Sequence, residues 1–190
     1  MRLRSLNRLL NSVQSLVEPD RIVICGSASL LPEHPSRGEA SQPLDNSYDA
    51  DLLLSPIDEE HAAILAEAVG QQSLFAKRHG YYADILRPVI AETLPAGWES
   101  RLRPVPGCAH VFTLDRYDLA LVKLMVGREK DLALLRALLN LGLIEPARLR
   151  QHYQQTPLGE RESMAAGRNL QGLLAEPLTP AVPEASGGEP

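Results

Sequence analysis

Aromatic residues are scarce in this chain: one Trp, five Tyr and two Phe make up 4% of its 190 residues. A core must therefore be assembled from Leu, Ala, Val and Ile. Cysteine is rarer still, with only Cys25 and Cys108. The two lie far apart and lack metal-site spacing, and Cys25 sits in an apolar run where a thiol behaves as a small hydrophobe. No structural disulfide is expected, which fits a reducing compartment. There is no basic excess either: 19 Lys and Arg stand against 24 Asp and Glu, for a net charge of −5. That balance argues against a general nucleic-acid-coating role while leaving room for a local basic patch. Finally, no run approaches the roughly eighteen apolar residues that cross a bilayer. The first ten residues are basic, but their apolar positions are interrupted every two or three residues, which predicts an amphipathic helix and not a signal peptide. The expectation is a cytoplasmic protein with no membrane partner, long enough for one domain with a substantial core and a helical appendage.

Leu3, Leu6, Leu9, Leu10, Val13, Leu16 and Val17 recur at helical spacing, predicting a helix over 3–17 that ends before Pro19. A strand is predicted at 21–25, a helical turn at 28–31, and a loop over the polar stretch from Pro32 to Asn46. A second strand follows at 48–54, then a helix over 58–69 with Asp58, Glu59 and Glu60 in its first turn. A third strand is predicted at 80–87, two shorter strand-like pieces at 98–105 and 109–114, and a helical stretch over 115–141 broken at Gly127 and capped at Gly142. Two further helices are expected at 146–154 and 159–175. The fold class is α/β (α+β), divided into a core over 1–114, a helical segment over 115–176 and a disordered tail over 177–190, where composition cannot support burial.

Asp49 and Asp51 lie one residue apart on the second strand and so share a face. Two carboxylates so placed are matched to Mg²⁺, which takes one or two carboxylates plus substrate phosphate oxygens. The competing reading is that both are simply solvated on an open sheet face. Gly26-Ser27 closes the first strand, where glycine permits close approach of a phosphate and serine donates from hydroxyl and backbone. Asp84 on the third strand would join the two aspartates if that strand pairs with 48–54. Lys123, Gly127, Lys130 and Asp131 share one face of the later helical stretch, beside Arg128. A lysine and an arginine together suit a triphosphate, although a solvated face laced with ion pairs has the same pattern.

A strand ending in Gly26-Ser27, followed by Asp49-x-Asp51 on the next strand, resembles the signature of the DNA polymerase beta nucleotidyltransferase superfamily. The segments His79-Gly-Tyr-Tyr-Ala-Asp84, Leu94-Pro-Ala-Gly-Trp-Glu-Ser-Arg-Leu102, Asp118-Leu-Ala-Leu-Val-Lys123 and Gly127-Arg-Glu-Lys-Asp131 are similar to a family of short bacterial nucleotidyltransferase-like proteins of unknown function. That family is in turn distantly similar to AbiEii-type toxins. The resemblance implies a mixed sheet flanked by helices, with Gly26 and Ser27 cradling nucleotide phosphates and Asp49 and Asp51 binding Mg²⁺. It also implies that Lys123 steadies the triphosphate, with Arg128, Lys130 and Asp131 completing the site. One departure stands out: twenty-one residues separate Ser27 from Asp49, more than the superfamily usually has.

Three functions follow as expectations. The first is Mg²⁺-dependent transfer of a nucleotide from a nucleoside triphosphate to an RNA, protein or small-molecule acceptor, with a toxin and its antitoxin partner as one setting. The second is a catalytically degenerate fold that binds nucleotide or a partner. In the third the aspartates are only solvated.

Overall fold

The computed structural model describes residues 1–33, 47–175 and 177. Most of the expected polar loop at 32–46 and nearly all of the expected tail lie outside those residues. By its internal contacts the chain forms two compact units, Met1–Val122 and Lys123–Pro190.

The first unit opens with helix α1 (Leu3–Gln14), strand β1 (Arg21–Ile24) and a 3-10 turn at Ser27–Leu30. Strand β2 (Asp49–Ser55), helices α2 (Glu59–Val69) and α3 (Leu74–His79) and strand β3 (Tyr82–Ile85) follow. Two 3-10 turns, Pro88–Thr93 and Trp98–Arg101, lead to β4 (Arg103–Pro104), β5 (Val111–Thr113) and helix α4 (Arg116–Val126). The division between the units falls inside α4. The five strands make one mixed sheet in the order β3-β2-β1-β5-β4. β1 runs antiparallel to β2 and parallel to β5, while β2 and β3 are parallel. This is the mixed, helix-flanked α/β fold expected from the sequence, followed by a helical C-terminal half.

Period-two alternation sorts the central strands. Ile22, Ile24, Ala50, Leu52, Leu54 and Ala83 face α1 and α2, where Leu6, Leu9, Leu10, Val13, Leu65 and Val69 complete a single apolar cluster. Leu6, Leu9, Leu10 and Val13 are fully buried, and each such side chain contributes about 1.5–3 kcal/mol by leaving water. The opposite face carries Val23, Cys25, Asp49, Asp51, Leu53, Tyr82 and Asp84, because a strand residue shares its face with its second neighbour.

Three departures from expectation have local causes. α1 ends at Gln14 and not at residue 17, because the last turn tightens: Leu16 N–H donates to Val13 O at 3.1 Å. α3 was not anticipated, since Leu74 is exposed and the helix has no apolar stripe. It is held at its ends, where Ser73 Oγ accepts from Ala76 N–H at 3.0 Å and Gly80 turns left-handed at φ 75°. The stretch expected as a strand at 98–105 begins as a helical turn. Gly97 at φ 77° starts it, and Arg101 donates to Ala96 O and grips the buried Asp118 with two bonds of 2.8 Å each. Only two residues then remain for β4.

The break expected at Gly127 is present. Its φ of 66° reverses the chain between α4 and α5 (Glu129–Asn140). The second unit continues with α6 (Pro146–Gln155) and α7 (Glu160–Ala175), and its interior is aliphatic: Leu134, Leu135, Leu138, Leu149, Ala166, Leu170 and Leu173. Asn169 on α7 donates to the Leu124 carbonyl at 2.7 Å, satisfying one of the acceptors left open at the end of α4. A β-carbon on Gly127 would collide with that same amide. Among the described residues no helix is long and apolar enough to cross a membrane.

Leu9→Ala should lower the unfolding free energy of the full chain by about 2–5 kcal/mol in urea titration. Leu16→Ala, at an exposed position just beyond the end of that helix, should change it by less than about 0.5 kcal/mol.

Candidate functional site

β1 and β2 bring the two halves of the motif together. Arg21 pairs with Ser55 and Ile24 with Leu52, and the ladder extends one step further, with Cys25 N–H donating to Asp51 O at 2.9 Å. Gly26 therefore lands beside Asp51. The approach is so close that a β-carbon on Gly26 would overlap Asp51 Oδ2. Any residue but glycine would have to displace that carboxylate. Gly26 is buried and Ser27 half-buried, and Ser29 N–H donates to Gly26 O at 2.9 Å, fixing the turn. Ser29 is itself buried, and its hydroxyl has no partner among the described residues.

The carboxylates gather on the face away from α1 and α2. Asp49 is half-buried and accepts from Ser47 Oγ at 2.9 Å. Asp84 on β3 is the register partner of Asp51 and is exposed. Tyr82, partner of Asp49, records the charge density: its hydroxyl is pushed above the usual tyrosine range by burial, then by Asp49, Asp84 and Asp51 in turn. Cys25 on the same face has its thiol pushed up to about 12, first by burial and then by the Asp51 charge, so it stays a neutral thiol at neutral pH. Among the described residues no three His, Cys, Asp or Glu side chains cluster as a metal site. A divalent cation here would meet the Asp49–Asp51 pair, and hard carboxylate oxygens are the donors that Mg²⁺ selects.

Ser47 and Cys25 escape a reading by motif. Cys25 was legible in principle, because a strand ladder continued from Ile24–Leu52 puts it opposite Asp51. Ser47 stands before the strand, where no periodicity applies.

The other predicted residues belong to the second unit, where Lys123, Arg128 and Asp131 form a compact ion cluster. Asp131 is 2% exposed and accepts from Lys123 Nζ at 2.7 Å and from Arg128 Nε at 2.6 Å. Burial pushes its carboxyl up, yet the bonds and charges of Arg128 and Lys123 outweigh burial and hold it below the usual carboxylate value. On the face expected to be basic at 123–131, Asp131 thus engages both Lys123 and Arg128. Lys130 is exposed.

A family model described as nucleotidyltransferase of unknown function (DUF6036) matches residues 1–166, and the chain belongs to that family. Neither a curated protein nor a solved structure matches the chain.

Gly26→Ala should cost about 1–3 kcal/mol in chemical unfolding, since the added methyl must push the Asp51 carboxylate aside. Asp131→Asn should destabilise the full chain by about 3–5 kcal/mol at pH 7, because it removes the charge that pairs the nearly buried Lys123. The carboxyl is held below its ordinary 3.8 in the folded state, so its contribution is complete above that pH and is lost as pH falls through the depressed value. The gap between parent and variant, followed by urea titration at several pH values, should therefore close only below about pH 4.

Proposed function

We propose that this member of a nucleotidyltransferase family is a Mg²⁺-dependent enzyme of the DNA polymerase beta superfamily, which moves a nucleotide from a nucleoside triphosphate to an acceptor hydroxyl. The observation that carries the reading is the seat of the Asp51 carboxylate against Gly26, which joins a glycine-serine turn to an Asp-x-Asp strand. Gly26 and Ser27 offer a backbone free of side-chain bulk, a backbone N–H and a hydroxyl to triphosphate oxygens. Asp49, steadied by Ser47, and Asp51 would hold Mg²⁺. When bound, that ion would neutralise charge developing on the transferring phosphoryl group. Asp84, exposed and in register with Asp51, would accept the proton of an acceptor hydroxyl. The reading extends to a cytoplasmic setting and to the toxin half of a toxin–antitoxin pair, by likeness to AbiEii-type proteins.

A second reading is a nucleotide-binding module without turnover. The twenty-one residues between Ser27 and Asp49 favour it.

Pyrophosphate release from Mg-ATP in the presence of an acceptor pool separates the two. Asp49→Asn and Asp51→Asn should each lower it by about 10²–10³-fold, the size of effect seen when transition-state charge stabilisation is removed. Equal release from parent and both variants would overturn the enzymatic reading, and tight Mg-ATP binding without release would establish the module.

A further inference from the structure

β3 is the last strand on its side of the sheet, and one of its edges is unpaired among the described residues. The register shows which groups that edge presents. Tyr82 N–H donates to Tyr48 O at 3.0 Å and Leu86 N–H to Leu52 O at 2.9 Å, so even-numbered residues of β3 bond to β2. Ala83 and Ile85 therefore point their N–H and C=O groups outward, in the spacing that an added strand pairs with.

A groove of about 740 Å³ runs along this edge, with Glu67, Gln71, Gln72 and Ser73 across from Tyr82–Ile85. That volume lies within the range of ligand sites. Its chemistry is selective. Glu67 and Asp84 bring negative charge, the glutamines bring neutral donors and acceptors, and among the described residues no Lys, Arg or His lines it. A phosphate backbone binds through cations, and the described lining offers it carboxylates instead. A basic polypeptide would find complementary charge and a row of backbone partners.

We infer that the β3 edge and its groove form an acceptor subsite for an extended, lysine- or arginine-rich polypeptide segment that adds to the sheet as a sixth strand and presents a hydroxyl side chain to Asp84. The inference rests on nucleotidyl transfer at Asp49 and Asp51. Alternation on the added strand puts every second side chain on the Asp84 face, so a Ser, Thr or Tyr in that phase stands beside the carboxylate. Its oxygen attacks the α-phosphorus of the nucleoside triphosphate and forms the new P–O bond. The bond from that phosphorus to the oxygen bridging the β-phosphate breaks, pyrophosphate leaves with the electron pair, and the hydroxyl proton passes to Asp84. The product is a nucleotidylated side chain in phosphodiester linkage.

The experiment uses the full chain, Mg²⁺, α-labelled ATP and three acceptors. These are a short fluorescein-tagged peptide alternating lysine and valine around one tyrosine, the same peptide with glutamate for lysine, and total RNA. Label should enter the lysine peptide about tenfold faster than the glutamate peptide, and RNA not at all. Glu67→Lys combined with Gln71→Lys should raise the KM for the lysine peptide about fivefold or more with kcat little changed. Glu160→Lys combined with Glu162→Lys, on α7, should leave it alone. Ile85→Pro removes one outward N–H at a position where an edge strand tolerates proline, and should also raise KM. Labelling of RNA instead of peptide, equal labelling of both peptides, or equal effects of the two charge pairs would overturn the inference. If no acceptor is labelled and no pyrophosphate forms, the transfer reading has failed. The subsite is then decided by fluorescence anisotropy of the lysine peptide: binding weakened by the groove pair but not by the α7 pair sustains it, and any other result removes it.

Discussion

The antiparallel pairing of β1 with β2 sets every other relation in the first unit. It places Ile24 against Leu52 and so carries Gly26 to Asp51. It fixes which side chains of both strands meet α1, and a slip of one residue would turn Asp49 and Asp51 into the apolar cluster while moving Leu52 and Leu54 to the opposite face. Unpaired carboxylates buried in that cluster would cost several kcal/mol each. The hydrophobic pattern therefore enforces the register on which the candidate site depends, and the site's geometry is a by-product of core burial.

The fold was legible where periodicity was strong. Leu6, Leu9, Leu10 and Val13 announce α1, and the alternation of Asp49, Asp51 and Leu53 against Ala50, Leu52 and Leu54 announces both faces of β2. It was illegible where a single side chain decided the backbone. Residues 98–101 read as the start of a strand-like piece over 98–105, yet the bidentate hold of Arg101 on buried Asp118 favours a helical turn. α3 is fixed by Ser73 and Gly80 at its ends, signals that period-counting passes over.

The site was legible to a lesser depth. Asp49, Asp51 and Gly26 could be named from spacing and type, and the register of Asp84 with Asp51 followed once β2 and β3 were neighbours. Lys123, Lys130 and Asp131 share a face of a continuous helix with Arg128 beside it, but charge pattern alone does not say whether the cations serve a ligand, a carboxylate or both. Here a carboxylate with 2% exposure takes Lys123 and Arg128, which links α4 to α5 across the left-handed Gly127. The same residues that resemble a phosphate clamp hold a helical corner together.

β1 draws its two neighbours from very different distances along the chain. β2 follows it after one intervening stretch, whereas β5 returns to pair Ile22 with Val111 after nearly the whole of the first unit has been laid down. Loop closure of that span is entropically the dearest contact in the sheet, and non-local pairings of this kind slow folding. During synthesis, β1 and β2 emerge and pair while the other edge of β1 still lacks its partner. Ile22, Val23 and Ile24 form a short, β-branched and uncharged edge of the sort that recruits foreign strands. The arrival of Val111–Thr113 closes that edge, so the first unit is protected from self-association only when its last strand is in place.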